Sequence, residues 1–171
     1  MILPFLNITP TIHETCFLAS QSVVIGDVEI GEGSSVWFQT VIRGDVNQIR
    51  IGKMTNIQDL SMIHVTNREA PVPAATTIGD EVTVGHRVIL HGCTIGNRCL
   101  IGMGAIVLDG AVIEDEVMIG AGAVVTPRTR IPSGFLALGS PAKPVRALTD
   151  AEKTMFRLSA VHYAELAKKY L

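Results

Sequence analysis

The sequence predicts a mainly β protein, a parallel β-helix whose chain winds into stacked three-sided coils. An Ile, Leu or Val recurs at every sixth position, and the fifth residue of each hexad is almost always small or β-branched. Neither the 3.6-residue period of an α-helix nor the two-residue period of a hairpin produces this spacing. One short strand per hexad does, because three hexads close a coil and stacked coils pair their backbones at about 4.8 Å. The recurring aliphatic residues are Ile12, Leu18, Val24, Ile30, Val36, Ile42, Ile51, Ile57, Ile63, Ile78, Val84, Leu90, Ile95, Ile101, Val107, Ile113, Ile119, Val125 and Ile131.

Each aliphatic residue is expected to point into the prism, with the fifth residue of its hexad at a corner. Counting positions within the hexads assigns Val46 and Thr94 to such packed corners. Gly often follows the aliphatic residue, and the chain holds 16 Gly but only 5% aromatic residues. This composition suits tight corners and a narrow interior.

The period is interrupted after Ile42 and again after Ile63. If residues 66–77 form a loop excluded from the coils, then Ile42, Ile63 and Leu90 share one face in successive coils. Ile57 and Val84 then share the preceding face. Interruptions of a regular repeat are where functional sites are expected.

The repeat ends near Ile131, and prolines then predict an irregular stretch over 133–147. Thr149 with Glu152 three residues later is a capping box. The sequence therefore predicts a β-helix over residues 1–147 and a C-terminal helix over 148–171 that packs against it. The apolar stripe expected to face the prism is Met155, Leu158, His162, Leu166 and Tyr170.

Charge and cysteine content exclude several classes of protein. Lys and Arg total 14 against 16 Asp and Glu, and no basic run favours nucleic-acid binding. No apolar stretch approaches the roughly 20 residues of a membrane span. Three cysteines do not form a secreted disulfide framework, so a cytoplasmic protein is expected.

Three histidines lie beside the interruptions. His64 and His91 directly follow the aliphatic residues of one face, one coil apart, whereas His86 lies on the preceding face, one coil from Gln58. A Zn²⁺ ion needs imidazoles that converge, and one convex prism cannot easily wrap a corner around an ion. A three-fold trimer can, with His64 and His91 from one chain and His86 from the next. The competing interpretation is that these are ordinary surface histidines, as we interpret His13 and His162 to be.

The motifs around these histidines resemble the γ-class carbonic anhydrases and their bacterial relatives, hexapeptide-repeat proteins with a left-handed β-helix. The similar segments span nearly the whole chain. They are 43–45 (Arg-Gly-Asp), 56–59 (Asn-Ile-Gln-Asp), 63–65 (Ile-His-Val), 84–86, 90–92 and 139–143.

The resemblance implies reversible hydration of CO₂ to bicarbonate by a metal-bound hydroxide in a homotrimer. It implies that the metal is Zn²⁺, with Fe²⁺ or Co²⁺ as alternatives, and that the substrate pair is CO₂ and bicarbonate. The resemblance also implies a role for each site residue. His64, His86 and His91 bind the metal, Gln58 contacts the water or substrate, and Asn56 supports Gln58. Arg43 and Asp59 pair across the subunit boundary, Asp45 orients its neighbours, and Tyr163 reaches the metal pocket. Asp45 is equally well interpreted as an ordinary turn carboxylate, and Tyr163 as a packing residue.

The sequence departs from the most active members of this family in its acidic residues. Those members carry Glu directly after the Arg-Gly-Asp motif, where this chain has Val46, and its loop offers only Glu69. Two alternatives stay open: a CoA-dependent hexapeptide acyltransferase, which needs one histidine base and no metal, and a catalytically silent metal-binding scaffold.

Overall fold

The computed structural model describes residues 1–170 and confirms a left-handed parallel β-helix of hexapeptide repeats with one C-terminal helix. Most strands span only two or three residues, as one strand per hexad requires. The strands of the first half are Ile2–Leu3 (β1), Thr11–Ile12 (β2), Phe17–Leu18 (β3), Val23–Ile30 (β4), Ser35–Val36 (β5), Val41–Ile51 (β6), Asn56–Ile57 (β7), Met62–His64 (β8), Thr76–Ile78 (β9) and Thr83–Val84 (β10). The remaining elements are Ile89–His91 (β11), Thr94–Ile95 (β12), Leu100–Ile101 (β13), Ile106–Val107 (β14), Val112–Ile113 (β15), Met118–Ile119 (β16), Val124–Val125 (β17), Arg130–Ile131 (β18), Phe135–Gly139 (β19), Ala142–Ala147 (β20) and Asp150–Lys168 (α1).

The strand register agrees with the predicted face count. Ile42 of β6 pairs with Ile63 of β8, which pairs in turn with Leu90 of β11. On the preceding face, Ile57 of β7 pairs with Val84 of β10. The segment between β8 and β9 is excluded from the coils, but β9 already begins at Thr76, so the loop is shorter than the predicted 66–77.

The hexad aliphatic residues form one continuous core along the prism axis. Nearly all are buried, and Ile42, Ile57, Ile63 and Leu90 have no exposed surface. Ile12 and Leu18 at the first coil are only partly buried, because no complete coil covers them on that side.

Two corner assignments were wrong. In β6, Ile49 rather than Val46 is fully buried and pairs with Val28, because the chain runs as one long strand through the corner. After Leu90, Cys93 takes the buried corner and Thr94 is exposed. Burial raises the pKa of the Cys93 thiol to about 12, so this side chain is a neutral packing group.

The stretch after the repeat is ordered, contrary to the expectation of an irregular segment. Strands β19 and β20 form an antiparallel hairpin, and β19 continues the stack by pairing with β16. This hairpin covers the last coil, whose backbone groups would otherwise form an unpaired edge.

Helix α1 begins with the predicted capping box between Thr149 and Glu152. Its predicted apolar stripe is only partly correct. Leu166 and Tyr170 pack against the aromatic residues Phe17 and Trp37 of the prism, but His162 is exposed and Met155 and Leu158 are 46% and 63% exposed. The buried face instead consists mainly of small residues, which let the helix approach the prism closely: Phe156, Ala160, Ala164 and Ala167. Across residues 1–170, no helix is long and apolar enough to cross a membrane. The cytoplasmic location stays a prediction.

Candidate metal centre

His64 and His91 end the paired strands β8 and β11 and lie next to each other on one face of the prism. Each follows an inward aliphatic residue, so the alternation of the strand directs both rings outward. The Nδ1 atom of His64 lies 3.2 Å from Nε2 of His91. The stacked pair predicted from the register is therefore present.

Both rings use their other nitrogen on a carboxylate. Nε2 of His64 lies 3.1 Å from Oδ1 of Asp45, and Nδ1 of His91 lies 2.5 Å from Oδ1 of Asp109. Each carboxylate accepts a hydrogen bond from a ring N–H, which assigns the tautomers of neutral rings and leaves the two facing nitrogens with lone pairs. At 3.2 Å the two facing nitrogens can share a proton in a hydrogen bond or bind one cation between them. The arrangement is that of histidine ligands oriented by carboxylates.

His86 lies around a corner from this pair, just beyond strand β10. Its Nδ1 atom contacts Oδ2 of Asp59 at 2.8 Å, and its side chain is 44% exposed. As in the other two histidines, one ring nitrogen is paired with a carboxylate and the other is left for a further ligand; in His86 the remaining nitrogen is Nε2. All three candidate ligands thus share one chemical pattern.

The electrostatic environment keeps His64 neutral and its carboxylate partner charged. Burial is the main influence on His64 and lowers its pKa, while the hydrogen bond with Asp45 opposes this effect. Burial tends to raise the pKa of Asp45, but hydrogen bonds from Arg43 and His64 outweigh it and the net shift is downward. A neutral imidazole is the form that binds metal.

Asp45 is also tied to the residues on either side of it. Nη1 of Arg43 donates to Oδ2 of Asp45 at 2.5 Å, and the backbone N–H of Val46 donates to Oδ1 at 2.9 Å. Within one chain Arg43 therefore pairs with Asp45 and Asp59 with His86. The expected pairing of Arg43 with Asp59 across a subunit boundary stays a prediction.

Gln58 and Asn56 are buried on the face that carries His86, at 5% and 1% exposure. Nε2 of Gln58 donates to Oδ1 of Asn56 at 3.1 Å, and Nδ2 of Asn56 donates to Oγ1 of Thr83 at 3.0 Å. Thr83 in turn bonds Ser159 of helix α1 at 2.9 Å. This chain of hydrogen bonds fixes the orientation of the Gln58 amide.

Tyr163 of α1, Gln58 and His86 line one cavity of about 470 Å³. Burial raises the pKa of Tyr163, the charge of Asp59 adds to this, and hydrogen bonding with Gln58 opposes it. Tyr163 therefore stays a neutral phenol at neutral pH. It also packs edge-on against Trp37 with ring centroids 5.5 Å apart, so it contributes to helix docking as well. The rest of the cavity wall is largely apolar, with Leu100, Met103 and Met118 among its residues.

The facing nitrogens fit a tetrahedral zinc ion. Two nitrogen ligands at about 2.05 Å from such an ion lie about 3.3 Å apart, close to the 3.2 Å between His64 and His91. Within residues 1–170 of a single chain, no three His, Cys, Asp or Glu side chains are grouped to hold a metal. One chain therefore supplies a pair of ligands on one face and a third on another.

Sequence reasoning missed Asp109 and Thr66 as parts of this centre. Asp109 accepts hydrogen bonds from His91 and, at Oδ2, from Oγ1 of Thr66 at 2.8 Å. Asp109 belongs to the coil below His91, so the register could have brought it into range of Gly92. The contact between Asp109 and the His91 ring depends on the direction of the Asp109 side chain, which the hexad period does not predict.

Comparison with known proteins gives the family. The hexapeptide family described as "Bacterial transferase hexapeptide (six repeats)" matches residues 9–44, 75–108 and 92–127. "Carbonic anhydrase" of Geobacillus kaustophilus is 44% identical over 170 residues, which cover 99% of this chain and 91% of that protein. "Gamma carbonic anhydrase 1, mitochondrial" of Arabidopsis thaliana is 48% identical over 163 residues, 94% of this chain and 59% of that protein. The chain belongs to the γ-class carbonic anhydrase-like family.

Members of the γ-class carbonic anhydrase-like family carry several different names. "Protein YrdA" of Escherichia coli is 50% identical over 170 residues, covering 98% of this chain and 92% of that protein. A crystal structure of a hexapeptide transferase family protein from Anaplasma phagocytophilum superimposes with a TM-score of 0.94 at 42% identity, covering 100% of this chain and 98% of that one. The comparisons therefore show the family and its fold, whereas the differing names of the relatives do not fix the reaction that this protein performs.

Proposed function

We propose that this protein is a metal-dependent carbonic anhydrase of the γ type, which hydrates CO₂ reversibly to bicarbonate at sites shared between the subunits of a homotrimer. The observation that carries the proposal is the pair of facing nitrogens on His64 and His91. Each ring donates a hydrogen bond to a carboxylate through one nitrogen, and the other nitrogens, 3.2 Å apart, are then placed to bind one cation. The names of the carbonic anhydrase relatives support the same reaction.

The trimer is supported by an exposed apolar row beside these histidines. Residues Val41, Met62, Ile89, Ile106 and Val124 pair in register from coil to coil on the outer side of the same face. Met62 and Ile89 are 37% and 39% exposed in the single chain. An apolar row of this kind is typical of a surface covered by another subunit. A neighbour that placed its His86 face here would supply the third ligand.

The residues present suit Zn²⁺, with Fe²⁺ or Co²⁺ as alternatives, held by His64, His91 and the partner subunit's His86. When bound, such an ion acts as a Lewis acid that makes water a nucleophile near neutral pH. Asp45, Asp59 and Asp109 orient the three imidazoles, each through a contact with one ring nitrogen. Gln58 is fixed through Nε2 by Asn56, so its carbonyl Oε1 is oriented to accept a hydrogen bond from water or substrate in the cavity. The apolar wall of that cavity suits CO₂, a small molecule without charge.

The deciding experiment is stopped-flow CO₂ hydration by protein of known metal content. We expect hydration by the metal-loaded trimer and its loss in His64→Ala, while His13→Ala remains as active as the wild type. His13 contacts Thr15 and lies away from the site, so this variant controls for loss of a histidine. A metal-loaded trimer without hydration at any buffer concentration would favour the scaffold alternative.

The second candidate is a CoA-dependent acyltransferase, which the name of the hexapeptide transferase relative favours. That chemistry uses one histidine base and leaves at least two of the three histidine–carboxylate pairs without a role. Elemental analysis and acetyl-CoA consumption separate the two functions. An acyltransferase would consume acetyl-CoA while containing no stoichiometric metal.

A further inference from the structure

The carboxylate of Asp109 is placed between the candidate ligand His91 and the base of the excluded loop. Its Oδ1 atom lies 2.5 Å from Nδ1 of His91, and its Oδ2 atom accepts from Oγ1 of Thr66 at 2.8 Å. Both oxygens are therefore used, each by a different strand or loop. The side chain is 43% exposed, so its direction is set by these two bonds and not by packing.

Gly92 provides the space that the carboxylate occupies. Its φ of +58° lies in the left-handed region, and a Cβ atom there would approach Oδ1 of Asp109 to 2.3 Å. The same Cβ would lie 2.7 Å from Cβ of Ala74 in the loop. A side chain at this position would displace the carboxylate from the imidazole, so glycine is required here for a reason beyond the corner itself.

Thr66 is itself held firmly, so it can fix the carboxylate. Its backbone N–H donates to the carbonyl of Ala74 at 2.9 Å, which closes the loop. Its own carbonyl accepts from Nδ2 of Asn47 at 2.9 Å. The hydroxyl of Thr66 therefore extends from a backbone that is held by hydrogen bonds to Ala74 and to Asn47.

An aspartate at the same place in the next hexad behaves differently. Asp115, which follows Ile113 as Asp109 follows Val107, accepts from the backbone N–H of Asn97 at 2.7 Å. It stabilises a corner and contacts no histidine. Asp109 instead bonds two side chains, those of His91 and Thr66.

We propose that Asp109 is a positioning residue, fixed by Thr66, that holds His91 with its proton on Nδ1 and its Nε2 lone pair directed at His64. The inference deepens the proposed metal function and rests on it. An imidazole locked in one tautomer and one orientation loses less freedom when it binds a metal. Carboxylates in this position typically account for 10- to 100-fold in metal affinity.

The test compares Asp109→Asn with Asp115→Asn in the full-length protein. Titration of metal-free protein with Co²⁺, followed by visible absorption, should show about 10- to 100-fold weaker binding in Asp109→Asn and a changed spectrum. Thr66→Val should show a smaller loss, because the bond to His91 is retained. Asp115→Asn should bind Co²⁺ as the wild type does. Equal affinity and identical spectra for Asp109→Asn and the wild type would overturn the proposal.

A second measurement separates this inference from the proposed function. ¹⁵N NMR of the histidine rings in metal-free protein reports the tautomer of His91 without any metal. We expect the Nδ1-protonated form in the wild type and in Asp115→Asn, and a mixture in Asp109→Asn. If the wild type takes up no Co²⁺, the metal function fails, and these spectra alone decide whether Asp109 orients His91. The same mixture in all three proteins would show that it does not.

Discussion

At the scale of single residues, the recurring feature is a histidine that donates a hydrogen bond from one ring nitrogen to an aspartate. His64, His86 and His91 all share it, through three different aspartates. His13 and His162 do not, since His13 bonds Thr15 and His162 is exposed on helix α1 beside Tyr163. The two groups therefore differ in chemistry as well as in position.

Removing single histidines should separate these groups. We expect His64→Ala, His86→Ala and His91→Ala to reduce the metal content of purified protein to a small fraction of one ion per chain. His13→Ala and His162→Ala should retain the wild-type content. Elemental analysis of the five variants checks this, and equal retention in all five would mean that the site is misplaced.

Val46 is the second residue with a specific expectation. It is partly exposed and, with Asp45, Asn67 and Glu69, lines a cleft between the loop and the N-terminal segment, so it is not in the packed corner expected from the hexad count. Val46 packs against the core but is only partly buried, so a carboxylate there meets a smaller penalty for burying a charge than in a packed corner. Val46→Glu should therefore fold.

If the proposed CO₂ hydration holds, we expect proton export to limit the wild-type protein, because it has Val46 at the position where the family resemblance implies Glu. Added imidazole should then raise wild-type turnover, and Val46→Glu should be faster at low buffer concentration and less dependent on imidazole. Val46→Gln is the matched control, since it has a similar size and cannot carry the proton as an acid. Fast wild-type hydration without buffer dependence would contradict the argument.

At the scale of elements, helix α1 connects the site to the rest of the prism. Ser159 bonds Thr83, and Tyr163 lines the cavity with Gln58 and His86. The helix start is held by Glu152, which accepts from the backbone of Thr149 and pairs with Arg146 through both guanidinium nitrogens at 2.8 and 2.7 Å. The position of Gln58 therefore depends partly on a helix whose N-terminus is fixed by charge.

The stability of this helix should depend on pH in one direction. The hydrogen bond from Arg146, followed by that from the Thr149 backbone, lowers the pKa of Glu152 from 4.5 to about 2. A carboxyl group whose pKa is lower in the folded state stabilises it above its unfolded pKa, and that stabilisation is lost as the pH falls from 4.5 towards 2. Glu152→Gln should lower the melting temperature at pH 7, and the difference from the wild type should disappear near pH 2. Thermal unfolding followed by circular dichroism measures this, and a difference that is constant with pH would contradict it.

At the scale of the whole molecule, one chain cannot bring its three candidate ligands together. His64 and His91 lie on one face and His86 lies around a corner, and within residues 1–170 no threefold ligand group forms. A metal site that needs two subunits stabilises the assembly as well as the fold. Metal binding and trimer formation should therefore be linked.

Chelation should loosen the trimer, and a charge in the apolar row should do the same. We expect Ile89→Glu to shift the protein towards monomers and to lower its metal content, because Ile89 lies beside His91 on the outer face. Leu158→Glu is the control, since Leu158 is 63% exposed on the helix and outside that row. Light scattering with metal analysis gives both quantities. A monomer that still binds one metal ion per chain would contradict a metal site shared between subunits.

The sequence by itself determined the β-helix, the coil register and the stacked pair His64 and His91. The reason is that every coil repeats one inward position, so an aliphatic residue every sixth place specifies which residues pair. The capping box of α1 was also predictable, because it depends on only two residues at a fixed spacing.

Only the tertiary structure decided where the pattern is broken. Ile49 and Cys93 replaced the expected corner residues, because the interruptions change where the chain turns. Apart from Phe156, the residues that the helix buries are alanines, because small side chains let it approach the prism closely, whereas Met155 and Leu158 remain exposed. Asp109 reaches His91 through a space left by Gly92, and that contact depends on a rotamer and a loop closure. Such contacts join residues that share no period, so the sequence alone does not specify them.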